Sequence, residues 1–196
     1  MGELYLHDLS KYNCNIFVET GTGKGTGIEH ALKYRFDKLY SIEIHTQLYN
    51  ECKNKFASNR LKLINATSID GLKKILKETD KNDTILFWLD AHFPGADFQL
   101  GSYYDNIEFN LKFPLEWEIN LIYETRKKCK DVFIIDDLQL YEDGDYELKW
   151  EQDFIDRFRM SNEFIYDKYF DTHNFIKDYR HQGFLILEPK DDTYRP

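Results

Sequence analysis

Residues 16–27 read Ile-Phe-Val-Glu-Thr-Gly-Thr-Gly-Lys-Gly-Thr-Gly: a short apolar run, a carboxylate and then a cluster of glycines. An apolar run of this length that ends in glycines is typical of a buried strand followed by a tight turn. A helix is expected directly afterwards, because apolar residues then recur at helical spacing. The predicted buried face of that helix consists of Ile28, Ala31, Leu32 and Phe36. The stretch therefore predicts a strand–turn–helix unit.

The same alternation continues along the chain, and it is the pattern of a parallel sheet with crossover helices. Further strands are predicted at residues 39–42, 61–64, 84–89 and 132–135. Helices are predicted with caps at Thr46 and Ser68, over residues 115–128 behind Pro114, and over residues 147–160. Two more strand candidates, residues 163–169 and 184–187, follow. The prediction is an α/β protein, a three-layer α/β/α Rossmann-like sandwich with a mostly parallel seven-stranded sheet and a C-terminal antiparallel strand pair.

Length and charge narrow the function classes. With 196 residues the chain suits a single domain, residues 1–196. The formal net charge of −9 opposes non-specific binding to nucleic acid and to acidic membranes. The N-terminal residues lack the apolar run of a signal peptide, and the run at residues 85–89 is too short to cross a bilayer. We expect a cytoplasmic protein with a small-molecule substrate and without a nucleic-acid or membrane partner.

Acidic residues stand where the predicted strands end. Glu19 ends the first strand, Glu43 the second, Asp90 the fourth, and Asp136-Asp137 the fifth. In an open α/β sheet, ligands bind beyond the carboxyl ends of the strands, near the switch in strand order. These carboxylates are therefore the first candidates for a functional site.

The glycine loop does not fit the common phosphate-binding patterns. Lys24 is followed by Gly25 instead of Ser or Thr, so the GxxxxGK[ST] pattern fails, and neither register of GxGxxG finds its third glycine. Glu19 would repel a pyrophosphate but could hold an amine. Glu43 follows Gly21 by 22 residues, a spacing that suits hydrogen bonds from two ribose hydroxyls. An amine, a close backbone approach and a ribose together indicate S-adenosylmethionine; the alternative is a tight turn beside exposed glutamates.

At this point the sequence resembles the class I S-adenosylmethionine-dependent methyltransferases. VETGTGKGTG, from residue 18, resembles their first motif, and SIEI, from residue 41, resembles the second-strand motif with its acidic end. The resemblance covers residues 16–188 and implies the methyltransferase version of the Rossmann-like fold. It also implies a cofactor site formed by Glu19, Thr20, Gly21, Gly23, Gly25, Glu43, Ile44, Thr67, Ser68 and Asp90. After the third strand, Asn65-Ala-Thr-Ser68 departs from the Gly-Asp-Ser of many relatives, so the contacts to adenine are less well defined.

The remaining carboxylates indicate a metal. Asp90, Asp136 and Asp137 are expected to converge, and a divalent cation such as Mg²⁺ would relieve their mutual repulsion. This arrangement is similar to metal-dependent O-methyltransferases of the catechol and macrocin types, and Asp90-Ala-His92 resembles the cephalosporin-hydroxylase-like family. The catechol type has a lysine base soon after the fourth-strand aspartate, whereas here no lysine lies between Asp90 and Lys112. His92 is predicted to act as the base instead, with Asp90 beside it.

The sequence thus predicts O-methylation of a small hydroxylated acceptor, such as a sugar or a diol. Residues 93–113, with Phe98, Tyr103, Tyr104 and Phe109, are predicted to form a lid that selects the acceptor. Several alternatives remain open. His92 and Asp136-Asp137 could be turn residues, and the aromatic stretch could be a homo-oligomer interface. The protein could also be a non-catalytic cofactor- or metal-binding assembly protein, or a metal-dependent hydrolase or hydroxylase.

Overall fold

The computed structural model describes residues 2–190, so residues 1 and 191–196 of the predicted domain lie outside the described residues. Seven strands form one sheet in the order β3-β2-β1-β4-β5-β7-β6. They are β1 (Ile16–Thr20), β2 (Lys38–Glu43), β3 (Leu61–Asn65), β4 (Ile85–Leu89), β5 (Val132–Ile135), β6 (His173–Asp178) and β7 (Phe184–Pro189). The first five strands are parallel, while β7 runs antiparallel to both β5 and β6. The structure confirms the predicted sheet and its C-terminal antiparallel pair.

Seven helices accompany the strands in the described residues, together with short 3₁₀ turns. They are α1 (Thr26–Ala31), α2 (Thr46–Lys55), α3 (Ser68–Glu78), α4 (Phe109–Lys112), α5 (Leu115–Arg126), α6 (Gln152–Phe158) and α7 (Glu163–Tyr169). None of these helices is long and apolar enough to span a membrane. Thr67, and not Ser68, caps α3, because its hydroxyl accepts a 3.2 Å hydrogen bond from the backbone N–H of Asp70. Thr46 is the first residue of α2 and not its cap.

Two predictions near the C-terminus are wrong. Residues 163–169 form a helix, not a strand, and the strand that pairs with β7 lies further on at His173–Asp178. Ile165 and Tyr169 are both buried, and their spacing of four residues is helical. The predicted helix over 147–160 shortens to α6 because residues 147 and 148 donate backbone hydrogen bonds to the carbonyls of Tyr179 and His181.

The order of the strands places the site. The chain builds outward from β1 to β3, then returns to place β4 on the other side of β1. The connections that follow β1 and β4 therefore run in opposite directions along the sheet, and α/β sheets bind ligands at such a switch in strand order. Both strands are fully buried, so apolar side chains cover both faces of the sheet there. One face packs on helices α3 and α5, and the other is covered partly by Leu4 and Leu9 of the N-terminal segment.

Candidate functional site

A cavity of about 600 Å³ opens beyond the carboxyl ends of the strands at this switch point. The structure brings most of the predicted site residues to its wall: Glu19, Gly21, Gly23, Glu43, Ile44, Thr67, Ser68, Asp90, His92 and Asp137. Three predicted residues lie behind the wall. Thr20 is fully buried, Gly25 packs against Phe56 of the segment after α2, and Asp136 is 6% exposed.

The glycine loop is fixed to the end of β2 by backbone hydrogen bonds. The N–H groups of Gly21 and Thr22 donate to the carbonyl of Ile42 at 3.0 and 3.1 Å. Gly21 has a φ of +83°, and a Cβ there would lie 2.2 Å from the carbonyl oxygen of Asp90. Only glycine fits both the left-handed conformation and this close approach. The loop therefore lies directly against the residue that follows β4, and Gly21 and Asp90 both line the cavity.

Glu43 connects the loop to the second strand. Its Oε2 accepts a hydrogen bond from the N–H of Gly23 at 2.8 Å, and its Oε1 accepts one from the N–H of His45 at 2.7 Å. Burial raises the pKa of Glu43, although these hydrogen bonds oppose the effect. Each carboxylate oxygen can accept a second hydrogen bond. Glu43 is thus held in one orientation while it keeps acceptor capacity toward the cavity.

Glu19 lies beneath the glycine loop and is 1% exposed. Its neighbour across the β1–β2 pair, Ser41, donates a hydrogen bond to Oε2. Burial raises the pKa of Glu19 to about 8; the Ser41 hydroxyl opposes this effect, and the charge of Glu43 adds to it. A Cβ on Gly27, at the start of α1, would lie 1.8 Å from Oε1. Glu19 is therefore a desolvated carboxyl that a bound cation would help to ionise.

At the other end of the cavity, Asp90, His92 and Asp137 come together. One ligand atom from each lies within 4.8 Å of the other two, a spacing that suits a metal ion. The Nε2 of His92 is hydrogen-bonded to Oδ2 of Asp137, and its Nδ1 lies 3.8 Å from Oδ1 of Asp90. Burial alone would lower the pKa of His92, but the charge and the hydrogen bond of Asp137 more than offset this, so the pKa is raised.

Asp136 stands behind this group. Its Oδ1 accepts a 2.9 Å hydrogen bond from the N–H of Asp137. A Cβ on Gly2 would lie 2.0 Å from Oδ2 of Asp90 and 2.9 Å from Oδ2 of Asp136, so these two carboxylate oxygens lie close to each other. Burial, followed by the charge of Asp137, raises the pKa of Asp136 to about 8. Burial and the two neighbouring aspartates also raise the pKa of Asp90. Desolvated carboxylates that repel one another fit a cation well.

No protein-family model matches the sequence, and no curated protein matches it. Solved structures do match the fold. A Staphylococcus aureus protein provisionally assigned as a caffeoyl-CoA O-methyltransferase is 15% identical, with a TM-score of 0.56 over 91% of this chain and 77% of its own. A provisionally assigned methyltransferase of Streptococcus mutans, solved with S-adenosylhomocysteine, is 14% identical, with a TM-score of 0.54 over 90% of this chain and 89% of its own. Spermidine synthase of Thermotoga maritima is 14% identical, with a TM-score of 0.54 over 91% of this chain and 55% of its own.

The chain has the methyltransferase fold. In this chain the fold is a mostly parallel seven-stranded sheet in which β7 runs antiparallel between β5 and β6. The predicted Rossmann-like methyltransferase fold is thereby confirmed. Identities of 14–15% support the architecture alone, so the activity is argued separately below.

Within this methyltransferase fold, part of the predicted lid, residues 93–113, lies over the glycine loop and the end of β2. Phe98 lies over the glycine loop, where a Cβ on Gly23 would meet its ring at 2.6 Å. Gly95 lies over the end of β2, where its Cβ would meet Nε2 of His45 at 2.5 Å. Residues 95–98 therefore form a roof over the half of the cavity that the loop and Glu43 define. Tyr104 and Phe109, which were predicted to select the acceptor, are 56% and 52% exposed and lie outside the cavity wall.

Some site residues were not predicted. Trp117, Trp150, Gln182 and Glu108 line the cavity, and Glu118 is buried behind it. Burial raises the pKa of Glu118 to about 7, although the neighbouring hydroxyls of Ser68 and Thr20 oppose the effect. Glu118 could have been found from the sequence, because a glutamate on the apolar face of a predicted helix is unusual. In the structure Leu115, Glu118 and Ile119 share the buried side of α5. Trp150 and Gln182 are brought in by loops, for which periodicity gives no signal.

Proposed function

We propose that this chain is an S-adenosylmethionine-dependent methyltransferase that methylates a hydroxyl of a small acceptor, such as a sugar or a diol, with the help of a divalent cation, Mg²⁺ or a similar ion. One observation carries the proposal. A single cavity joins a glycine loop and a fixed strand-end glutamate, Glu43, to the group formed by Asp90, His92 and Asp137. The first half suits a nucleoside with an amino-acid tail, and the second suits the activation of a hydroxyl.

The half of the cavity that contains the glycine loop and Glu43 is the donor half, where the residues of this chain would bind and orient S-adenosylmethionine. Glu43, held by the N–H groups of Gly23 and His45, can accept hydrogen bonds from two vicinal ribose hydroxyls. Glu19, desolvated beneath the loop, would pair with a protonated amine, and that pairing would favour its ionised form. The carboxylate at this strand end also disfavours a pyrophosphate. S-adenosylmethionine combines this amine and this ribose with a methyl group on a positively charged sulfur.

In the acceptor half, Asp90, Asp136 and Asp137 are the residues that would hold a cation. Their fit rests on geometry and burial: ligand atoms of Asp90 and Asp137 lie within 4.8 Å of each other, and Asp136 is buried behind them. A bound divalent cation lowers the pKa of a hydroxyl that it contacts.

His92 is the proposed general base. With Nε2 donating to Asp137, Nδ1 is left as the proton acceptor, and the carboxylate holds the ring and stabilises the charge that the proton brings. The aromatic walls and the roof at residues 95–98 cover part of the cavity, and positioning and desolvation of a bound acceptor would supply most of the acceleration.

The experiment follows tritium from the methyl group of S-adenosylmethionine into a panel of sugars and catechols, with Mg²⁺ or with EDTA. We expect transfer that EDTA abolishes and Mg²⁺ restores. His92→Asn should lower kcat by on the order of a hundredfold or more while S-adenosylhomocysteine still binds. His181→Asn, a change outside the cavity wall, is the matched control. Equal rates for the two variants would remove His92 from the mechanism, and cofactor binding without transfer to any acceptor would favour the non-catalytic alternative.

A further inference from the structure

Residues 2–7, called the strap below, reach into the cavity from the side of the N-terminal segment. Leu4 is 1% exposed and belongs to the core that this segment shares with β1 and β4. A single 3₁₀ turn begins at Leu4, in which the N–H of Leu6 donates to the carbonyl of Glu3 at 2.9 Å and the N–H of His7 donates to the carbonyl of Leu4 at 3.0 Å. Leu4 therefore anchors the strap, and residues 2 and 3 continue from this anchor toward the cavity.

The far side of the turn is fixed by two other parts of the chain. Nη1 of Arg180, between β6 and β7, donates to the carbonyl of Leu6 at 3.0 Å. Nε2 of His30, on α1, is hydrogen-bonded to the carbonyl of His7 at 2.9 Å. The strap is thus held on the body of the protein at residues 4–7, while Gly2 lies in the cavity wall.

Gly2 lies directly against the carboxylates of the candidate cation site. A Cβ on Gly2 would lie 2.0 Å from Oδ2 of Asp90, 2.9 Å from Oδ2 of Asp136 and 2.6 Å from Cζ2 of Trp88. All three distances are shorter than side-chain carbons tolerate, and Trp88 is buried and packed. The observed position of the strap therefore requires glycine at residue 2.

The place beside Gly2 is also the place that a cation between these two carboxylates would take. Mg²⁺ binds oxygen ligands at about 2.0–2.1 Å. The point 2.0 Å from Oδ2 of Asp90 and 2.9 Å from Oδ2 of Asp136 nearly meets this requirement. It lies only about 1.5 Å, one carbon–carbon bond, from Cα of Gly2. A cation at this point would overlap Gly2, so the strap and the cation exclude each other.

We propose that the strap is an autoinhibitory element: Gly2 covers Asp90 and Asp136, and a divalent cation binds when residues 2 and 3 move away about the anchor at Leu4. This inference rests on the proposed function, because the cation is the one that the acceptor half would hold. The apparent affinity for the cation is the intrinsic affinity multiplied by the fraction of molecules in which the strap has left the carboxylates. By linkage, the bound cation favours the displaced strap to the same extent.

The first test changes the strap and measures the affinity for Mg²⁺ by calorimetry on the full chain. Gly2→Val puts a side chain where the observed strap has no room, so the strap should leave the carboxylates and Mg²⁺ should bind at least about threefold more tightly. Tyr5→Val is the control, because Tyr5 belongs to the same turn but is 59% exposed; its affinity should stay within about 1.5-fold of the wild type. Unchanged or weaker binding in Gly2→Val would overturn the inference.

The second test follows the strap in the wild type and needs no variant. Displacement of residues 2 and 3 breaks the hydrogen bond from Leu6 to Glu3 and keeps the one from His7 to Leu4. Saturating Mg²⁺ should therefore speed the exchange of the Leu6 amide with water, measured by NMR, by at least about fivefold, while the His7 amide changes by less than about twofold. Slower or unchanged exchange at Leu6 would contradict the displacement.

Methyl transfer, followed in the same samples, tests the proposed function separately. Tighter Mg²⁺ binding in Gly2→Val and faster exchange at Leu6, without transfer to any acceptor, would keep the inference and remove the transferase. Transfer that needs Mg²⁺, with the same Mg²⁺ affinity in the wild type and in Gly2→Val, would do the reverse. The absence of Mg²⁺ binding below about 10 mM in both proteins would overturn the inference as well.

Discussion

Arg126 and Asp131 form a buried ion pair at the end of the sheet opposite the cavity, and removal of the arginine is expected to destabilise the protein strongly. Arg126 Nε lies 2.7 Å from Oδ2 of Asp131, and Nη2 lies 2.8 Å from Oδ1. Both side chains are 3% exposed. The guanidinium also donates to the backbone carbonyls of Asp80 and Asp83 at 2.9 and 2.7 Å. The pair therefore connects the start of β5 to the turn that precedes β4.

Arg126→Leu would leave the Asp131 carboxylate buried without its partner, a loss that typically costs about 3–5 kcal/mol. For a chain of this size, each kcal/mol shifts Tm by roughly 2–4 °C, so Tm should fall by about 6–20 °C. The free energy of unfolding in urea and Tm by calorimetry measure the loss. The affinity for S-adenosylhomocysteine should stay within about threefold of the wild type at a temperature where the variant is folded, because the pair lies away from the cavity.

A second substitution separates lost charge balance from lost packing. In the wild type, Oδ1 of Asp131 accepts a 2.9 Å hydrogen bond from the N–H of Ile85. Asp131→Asn, added to Arg126→Leu, keeps an oxygen that can accept this hydrogen bond and removes the unpaired charge. The double variant should recover about half of the loss or more. Arg159→Leu is the control; its partner Asp143 is 97% exposed, so it should cost about 1 kcal/mol at most. A loss below about 1 kcal/mol for Arg126→Leu, or a double variant no better than the single one, would refute the reasoning.

The other predictions concern the cavity. Glu43→Gln should weaken the binding of S-adenosylhomocysteine, measured by calorimetry, by roughly 10- to 100-fold, because an amide nitrogen cannot accept the hydrogen bonds that each Glu43 oxygen accepts. Glu51→Gln, on the exposed side of α2, should leave this affinity unchanged. Phe98→Ala should speed release of the same ligand by on the order of tenfold in stopped flow, since it opens the roof over the glycine loop; a change below twofold would contradict that role. Stability should fall as pH rises from about 4.5 to 8, because folded Glu19 keeps a proton up to about pH 8 that the unfolded chain releases near 4.5. Glu19→Gln should lose less stability between these pH values in urea unfolding, and an unchanged pH dependence would count against the raised pKa.

The sheet and the strand-end acids could be predicted from sequence because their signals are local. Residues 85–89 are an apolar run that is followed directly by Asp90, so one pattern gives both the strand and the position of the carboxylate. Parallel strands then bring their carboxyl ends to one edge without further information. The sequence alone therefore predicts that Glu43, Asp90 and Asp137 lie at one edge of the sheet.

The errors arise where local patterns are ambiguous or where distant loops meet. Residues 163–169 mix aromatic and charged residues over two turns, a length at which strand and helix periodicity cannot be told apart. The roof formed by residues 95–98 depends on packing against the glycine loop, where Phe98 meets Gly23, a residue far away in the sequence. Trp150 reaches the cavity because Gln139 accepts a 2.9 Å hydrogen bond from its backbone N–H, and no spacing in the sequence predicts that contact.

The central claim is that this cavity binds S-adenosylmethionine through the glycine loop and Glu43. The most direct measurement is a calorimetric titration of S-adenosylhomocysteine into the full chain, with and without Mg²⁺. We predict one site with a Kd on the order of micromolar, which corresponds to about −8 kcal/mol, lost or greatly weakened in Glu43→Ala. The absence of binding in both conditions, or equal binding by wild type and Glu43→Ala, would contradict the account.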